Sequence, residues 1–227
     1  YNPDLVVIAV LNAEQSRLIT DWLLEKGIAR ERVISVRSMK EYVDARLSAA
    51  RLIAAEINSR DVPGAVAELG VYKGEFAALI NELFPDRTLY LFDTFEGFDA
   101  RDVAVEIKEG LSYAAIGDFR DTSIDLVKSK LPFPERAAFR KGYFPGTAVG
   151  IEENFAFVSI DADLYQPVYE GLKYFWPRMN KGGYILIHDY NSLQYQGAGK
   201  AVRQYCAEND LFVVPLSDMH GSAVLVK

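Results

Sequence analysis

The sequence predicts a doubly wound α/β fold, in which a mostly parallel sheet of seven strands is covered by helices on both faces. Short apolar segments alternate with helical segments along most of the chain, which is the order of elements in parallel sheets. Half of the 227 residues are hydrophobic, so the chain can bury a substantial core. Two apolar segments at the C-terminus follow each other without a helix, which predicts a closing antiparallel hairpin.

The predicted strands and helices alternate in order along the chain. The seven strands are VAELGV, TLYLFDTF, AAFRKGYF, FAFVSIDADL, GGYILIHDY, LFVVPL and SAVLVK. The helices are GEFAALINELF, TSIDLVKSKL, QPVYEGLKYFWPRM and GAGKAVRQYCAEN. Because parallel strands point the same way, the loops at their carboxyl ends are expected to form the site. The segment 99–117 has weak periodicity and is interpreted equally well as a lid over a substrate or as a surface insertion.

The N-terminal part of the chain is predicted to be a separate unit. An apolar run over Leu5–Leu11, the helical pattern AEQSRLITDWLLEKGI and the short run RVISV form a β-α-β piece. It lacks a glycine-rich turn, which favours a structural remnant or appendage over a nucleotide-binding unit. Helical spacing then predicts a helix from Ser38 to Asn58. The predicted domains are therefore residues 1–37 and residues 38–227.

The composition argues against nucleic-acid and membrane partners and favours a cytoplasmic location. The formal net charge is −7, without the basic excess that binding to a nucleic-acid backbone requires. The longest apolar runs are much shorter than the ~20 residues of a membrane-spanning helix, so no membrane partner is expected. A single cysteine, Cys206, suits a reducing cytoplasm and is interpreted as an ordinary buried thiol. A homo-oligomer is compatible with the sequence, which does not specify the oligomeric state.

A glycine turn follows the first strand of the main domain. Gly70 and Gly74 flank the segment VYK, and a helix is predicted to begin directly afterwards at Glu75. Two glycines allow the backbone to approach a ligand, and the helix N-terminus offers unpaired N–H groups to an anionic end such as a carboxylate. The spacing differs from G-x-G-x-x-G, so a dinucleotide and an NAD-dependent oxidoreductase are disfavoured.

An acidic residue at the end of the second strand makes this turn more specific. Asp93 ends TLYLFD, next to the glycine turn in a parallel sheet, where a carboxylate can accept hydrogen bonds from both ribose hydroxyls. The alternative is a carboxylate that only caps the exit from the strand. Glu68 lies within the apolar first strand, and its burial requires hydrogen bonds from loop amides or from the ammonium group of a bound amino acid. Together these residues favour an adenosyl ligand.

A second polar group is predicted at the ends of the fourth and fifth strands. Asp161 and Asp163 end SIDADLY, while His188 and Asp189 end LIHDYN. Carboxylate oxygens at one edge are ligands for Mg²⁺ or a similar hard cation. In an extended strand, Asp161 and Asp163 would project to the same side, so that one holds a metal and the other takes a proton. The alternatives are that Asp163 caps the next helix and that His188 is a hydrogen-bonded core residue.

Six ordered blocks give the sequence a family resemblance. VAELGVYKGEFA, LYLFDTFEGFD, DFRDTS, KGYFPGT, FVSIDADLYQPVYEGL and GGYILIHDYN resemble the macrocin O-methyltransferase family of S-adenosylmethionine- and Mg²⁺-dependent enzymes, which methylate sugar hydroxyls. The resemblance runs from about Ala49 to Lys227. It implies the Rossmann-like class I methyltransferase fold. It also implies S-adenosyl-L-methionine and Mg²⁺ as cofactors and a small-molecule hydroxyl acceptor, expected to be a sugar.

The resemblance also implies roles for individual residues. Asp161 is expected to bind the metal and Asp163 to act as the base, which makes these two the candidate catalytic residues. The DTS block is expected to lie toward adenine. The candidate cofactor-binding residues are Glu68, Gly70, Tyr72, Lys73, Gly74, Asp93, Thr94, Phe95, Asp121, Ser123 and Asp161. The candidate metal ligands are Asp161, His188 and Asp189.

One position departs from the pattern of that family. Metal-dependent members carry two adjacent acids after the fifth strand, whereas this chain has His188 before Asp189. Imidazole suits Zn²⁺, Mn²⁺ or Fe²⁺ better than Mg²⁺, so the alternatives at this position are one of those metals, a weaker Mg²⁺ site and the absence of a metal. The predicted function is methylation of a hydroxyl on a sugar or glycosylated small molecule. Its alternatives are methylation of a catechol or another phenol, and a non-catalytic methyltransferase-like scaffold.

Overall fold

A computed structural model of the chain describes residues 5–10, 13–35, 44–218 and 221–227. The chain forms two compact units, Tyr1–Ser48 and Ala49–Lys227. Positions 38–43 of the predicted helix Ser38–Asn58 lie outside the described residues. The domain boundary between residues 37 and 38 stays a prediction.

The first unit is a small β-α-β arrangement. Strand β1 (Val6–Ile8) pairs in parallel with β2 (Val33–Ser35), and helix α1 (Ala13–Glu25) connects them. The buried Ser16 hydroxyl of α1 forms a 2.7 Å hydrogen bond with the hydroxyl of Ser35. This bond joins the helix to the end of the second strand.

The second unit contains the predicted alternation of strands and helices. Its strands are β3 (Ala65–Leu69), β4 (Leu89–Asp93), β5 (Ala137–Lys141), β6 (Phe155–Ile160), β7 (Met179–Ile187), β8 (Val214–Pro215) and β9 (Ala223–Val226). Helix α2 (Ala45–Ser59) precedes them, and the others are α3 (Glu75–Leu83), α4 (Ala100–Glu109), α5 (Ile124–Lys130), α6 (Tyr165–Phe175) and α7 (Gln196–Asn209). None of the helices in the described ranges is long and apolar enough to cross a bilayer.

The seven strands form one sheet in the order β5-β4-β3-β6-β7-β9-β8. The pairs from β5 to β7 are parallel, whereas β9 pairs antiparallel with both β7 and β8. The predicted mostly parallel, seven-stranded sheet with a C-terminal antiparallel hairpin is therefore confirmed. The strand order reverses at β3, so the carboxyl ends of β3, β4 and β6 surround the switch point where such folds bind ligands.

Burial on both faces explains why the central strands are apolar. Every residue of β3 and β6 is buried, and helices α6 and α7 pack together over one face. Large side chains of this core include Phe92, Phe155 and Phe175, and the Phe175 ring contacts each of the other two edge to face. A strand covered by helices on both sides needs a continuous apolar run rather than alternation. Glu68 in β3 is the exception in an otherwise apolar strand.

The segment 99–117 contains a packed helix. Asp99 caps α4 by accepting a hydrogen bond from the Arg101 N–H, and Gly110 ends the helix in the left-handed conformation. Asp102, Val103 and Glu106 form the buried face of α4, which packs against α6. The weak periodicity of the sequence arises because two of these three buried residues are acidic.

The backbone at Gly70 is unusually close to the loop after β6. Gly70 has a φ of 85°, and a Cβ built on it would overlap the carbonyl oxygen of Asp161. The N–H of Asp161 donates a 2.8 Å hydrogen bond to the Leu69 carbonyl, which joins the two loops next to the contact. Only glycine fits this position, because both the dihedral angle and the space exclude a side chain.

Replacing Gly70 with alanine should destabilise the protein by about 2–4 kcal/mol, because a left-handed alanine is strained and its methyl group overlaps the backbone of Asp161. Gly110 is the matched control, since it has a φ of 65° and a Cβ added there would meet no atom within 4 Å. Gly110→Ala should destabilise the protein by only about 1 kcal/mol, because the left-handed backbone conformation is then the only source of strain. Urea unfolding of both variants measures the difference, and equal losses would contradict the close contact at Gly70.

Candidate cofactor and metal site

The predicted site residues lie at the carboxyl edge of the sheet. The glycine turn follows β3, Asp93 ends β4, and Asp161 and His188 directly follow β6 and β7. The His188 N–H donates a 2.9 Å hydrogen bond to the Ile160 carbonyl, which ties the ends of β6 and β7 together. The structure therefore brings the candidate cofactor-binding residues and the candidate metal ligands to adjacent strand ends.

The turn after β3 presents backbone rather than side chains. Tyr72 and Gly74 have φ values of 47° and 81°, and the Gly74 N–H donates to the Val71 carbonyl. Gly74 is the N-cap residue of α3 and, as a glycine, supplies no side-chain cap to that helix. A Cβ at Gly74 would meet Val127 of α5 at 2.7 Å. The turn is a narrow backbone cradle at a helix N-terminus, which suits an anionic group.

Asp93 connects the ends of β3 and β4. Its Oδ2 accepts hydrogen bonds from the Val71 N–H at 2.7 Å and the Tyr72 N–H at 3.0 Å. Its Oδ1 accepts from the Phe95 N–H at 2.6 Å. A carboxylate offers about four lone-pair positions, so some acceptor capacity remains for a ligand hydroxyl. Asp93 thus shapes the turn itself, a role that the sequence interpretation did not include.

The other predicted cofactor residues on β3 and after β4 are mostly buried. Glu68 is 1% exposed and is flanked in the sheet by Leu91 and Ser159. Thr94 donates a 2.7 Å hydrogen bond from its hydroxyl to the Gly97 carbonyl, which closes the loop after β4. Phe95 is buried and has a φ of 53°.

The DTS block lies against the glycine turn. Asp121 accepts hydrogen bonds from the Tyr72 hydroxyl at 2.8 Å and from the Lys73 ammonium group, and these two donors lower the pKa of Asp121. Ser123 caps α5 by accepting the Leu126 N–H. The hydroxyl of Thr122 bonds to the Tyr72 carbonyl. The sequence interpretation missed Thr122, although it lies between two residues that the interpretation selected.

Three predicted metal ligands converge at the ends of β6 and β7. Nδ1 of His188 lies 2.9 Å from Oδ1 of Asp161 and 2.8 Å from Oδ2 of Asp189. One ligand atom from each residue falls within 4.8 Å of the others. The His188 and Asp161 side chains are partly exposed, whereas Asp189 is buried. Two carboxylates and an imidazole form a donor set that can hold a divalent cation with positions left open.

The prediction that Asp161 and Asp163 project to the same side of an extended strand was wrong. Strand β6 ends at Ile160, and Asp163 has a left-handed φ of 57°. Asp163 also does not cap α6, because the N-cap residue of that helix is Leu164. The carboxyl groups still lie close together: burial and the nearby charges of Asp161 and Asp189 raise the pKa of Asp163 well above its ordinary value.

A cleft of about 590 Å³ opens beside Asp93. It is lined by the loop after β4, the first turn of α4 and the residues after β5, including Thr94, Gly97, Arg101, Gly142 and Tyr143. The guanidinium of Arg101 stacks on the Tyr143 ring at 3.5 Å from its centroid. A cleft with apolar, aromatic and charged walls can accept a flat heterocycle.

Known proteins with similar sequences are O-methyltransferases. The chain is 24% identical over 185 residues to demethyldecarbamoylnovobiocin O-methyltransferase of Streptomyces niveus, covering 73% of this chain and 67% of the relative. It is 28% identical over 142 residues to mycinamicin III 3″-O-methyltransferase of Micromonospora griseorubida, covering 57% of this chain and 56% of the relative. The chain thus spans between about half and two thirds of the length of these relatives.

The fold is also that of known methyltransferases. The crystal structure of the calicheamicin methyltransferase CalS11 superposes with a TM-score of 0.65 at 21% identity, covering 94% of this chain and 91% of CalS11. Residues 37–227 match the family described as macrocin-O-methyltransferase (TylF). That match includes the glycine turn, Asp93 and the residues after β6 and β7. The chain belongs to the macrocin-O-methyltransferase (TylF) family.

Proposed function

We propose that the chain is an S-adenosylmethionine-dependent O-methyltransferase that acts on a hydroxyl of a sugar or glycosylated small molecule. The proposal rests mainly on the close contact between Gly70 of the glycine turn and the backbone of Asp161. This contact places the glycine turn against the acidic cluster, which consists of Asp161, Asp163 and Asp189. The named relatives methylate a novobiocin precursor and mycinamicin III, which supports a glycosylated acceptor. The proposed methyltransferase domain spans residues 38–227.

The residues present fit the proposed cofactor. The cradle at Gly70 and Gly74 would receive the methionine end at the N-terminus of α3, and Asp93 would accept hydrogen bonds from the ribose. The cleft beside Asp93 would hold the adenine ring. When bound, the cofactor supplies a reactive methyl group on a positively charged sulfur. The protein contributes mainly by aligning the acceptor oxygen with that methyl group, which is worth several kcal/mol.

Asp163 is the proposed general base. Burial, together with the nearby charges of Asp161 and Asp189, raises the pKa of Asp163, which makes its carboxylate a stronger proton acceptor than an isolated aspartate. The acceptor hydroxyl would lose its proton to Asp163 as its oxygen attacks.

The donor set fits a divalent metal. Asp161, His188 and Asp189 would hold the ion, which would act as a Lewis acid that lowers the pKa of the acceptor hydroxyl. Imidazole is a better ligand for Mn²⁺ or Zn²⁺ than for Mg²⁺, so we propose a site with higher affinity for Mn²⁺ than for Mg²⁺.

Asp163→Asn should lower kcat by about 10²–10⁴-fold, because the amide cannot take the proton, while the Kd for S-adenosylmethionine stays unchanged. Turnover is measured with demethyldecarbamoylnovobiocin, mycinamicin III and catechol as acceptors. Asp125→Asn, an exposed acid on α5, is the control and should be fully active. Full activity in Asp163→Asn would refute the base assignment. Turnover of catechol alone would favour a phenol acceptor, and no turnover of any acceptor would favour a scaffold.

Calorimetric titration should give a Kd for Mn²⁺ about tenfold or more lower than that for Mg²⁺, because imidazole ligation favours the softer ion. His188→Asp should reduce this preference because it creates an all-oxygen donor set, and Asp161→Ala should weaken the binding of both ions. Asp86→Asn, an exposed acid after α3, is the control. Equal Mn²⁺ binding by the wild type and Asp161→Ala would contradict the site.

A further inference from the structure

A buried carboxyl group on α4 lies outside the candidate cofactor and metal sites. Glu106 is 0% exposed. Its Oε1 accepts a 2.8 Å hydrogen bond from the Tyr165 N–H, and its Oε2 accepts a 2.7 Å hydrogen bond from the Ser112 hydroxyl. Burying a carboxyl group costs free energy unless its oxygens are hydrogen-bonded. The burial of Glu106 therefore depends on these two hydrogen bonds.

Glu106 lies between the N-termini of two helices. Tyr165 is the first residue of α6, and the N-cap residue of that helix, Leu164, provides no side-chain cap. At α7 the N-cap residue also lacks a side-chain hydrogen bond, and a Cβ on Gly197 would overlap Oε1 of Glu106. A carboxylate at helix N-termini is favoured by their unpaired N–H groups and dipoles. Glu106 therefore acts as a cap that is supplied by a third helix.

These two helices follow the loops that carry the acidic cluster. Helix α6 begins two residues after Asp163, and α7 begins after the loop that follows Asp189. The Leu164 N–H donates a 2.5 Å hydrogen bond to the Ala162 carbonyl, which closes a three-residue turn around Asp163. With Asp163 at a φ of 57°, this is a strained turn that persists only when the surrounding structure holds both ends.

Both ends of that turn are held by hydrogen bonds that backbone N–H groups donate. On the N-terminal side, the Asp161 N–H donates to the Leu69 carbonyl at 2.8 Å. On the C-terminal side, the Tyr165 N–H donates to Glu106, which comes from a segment 59 residues earlier in the chain. Loss of the second hydrogen bond would release the C-terminal side of the turn while the first remains.

We propose that Glu106 is a positioning residue that holds Asp163 in place for proton transfer. The proposal rests on the assignment of Asp163 as the base. Through Glu106, helix α4 contributes to the rate of the reaction without contacting the substrate.

A double-mutant cycle tests whether Glu106 acts through Asp163. Glu106→Ala should lower kcat by about 30-fold in the wild-type background, as expected when a base is misplaced by a fraction of an ångström. In the Asp163→Asn background, the same change should lower the residual kcat by less than about twofold, since no base remains to be positioned. The acceptor is whichever of demethyldecarbamoylnovobiocin and mycinamicin III is turned over. The Kd for S-adenosylmethionine should be unchanged in every variant.

Two further variants keep the test decisive. Glu109→Gln, at an exposed acid on the same helix, is the matched control and should have wild-type kcat. Glu106→Gln keeps a carbonyl acceptor for the Tyr165 N–H, so it should recover kcat to within about threefold of wild type. Glu106→Met, which keeps the side-chain length but lacks a strong acceptor, replaces alanine in the cycle if Glu106→Ala does not fold. Equal losses in the two backgrounds, or loss of cofactor binding together with turnover, would overturn the positioning role. Full activity of Asp163→Asn alone would instead refute the base assignment.

Discussion

The contact between Gly70 and the backbone of Asp161 is the constraint on which the candidate site depends. It places the glycine turn after β3 directly against the loop after β6, with no side chain between them. Asp93 then fixes the other side of the same turn by accepting the Val71 and Tyr72 N–H groups. A ligand in this cradle is consequently close to the acidic cluster, as methyl transfer between a cofactor and an acceptor requires.

The segments outside the sheet support this edge from two sides. The DTS block reaches the glycine turn through Asp121 and Thr122, which bond to Tyr72. Helix α4 reaches the opposite part of the site through Glu106 and the start of α6. The chain between β4 and β5 therefore contacts both the proposed cofactor loop and the loop that carries the proposed base.

Much of the architecture could be predicted from the sequence because parallel strands have simple rules. Alternating apolar and helical segments predict the sheet, and parallel pairing predicts that Gly70 and Asp93 meet at one edge. The conformation of Asp163 could not be predicted, since SIDADLY gives no sign that the strand ends at Ile160. The contact between Glu106 and Tyr165 was equally inaccessible, because it depends on how α4 packs against α6.

Calorimetric titration of S-adenosylmethionine is the measurement that tests the account most directly. It should be performed on the wild type, Asp93→Asn and the exposed control Asp86→Asn, each with and without Mn²⁺, and repeated with NAD. The account predicts binding by the wild type and the control, about tenfold or greater weakening in Asp93→Asn, and no heat with NAD, since hydrogen bonds to a charged group contribute about 1.5–3 kcal/mol. Absence of S-adenosylmethionine binding in every condition, or equal binding by Asp93→Asn, would contradict it.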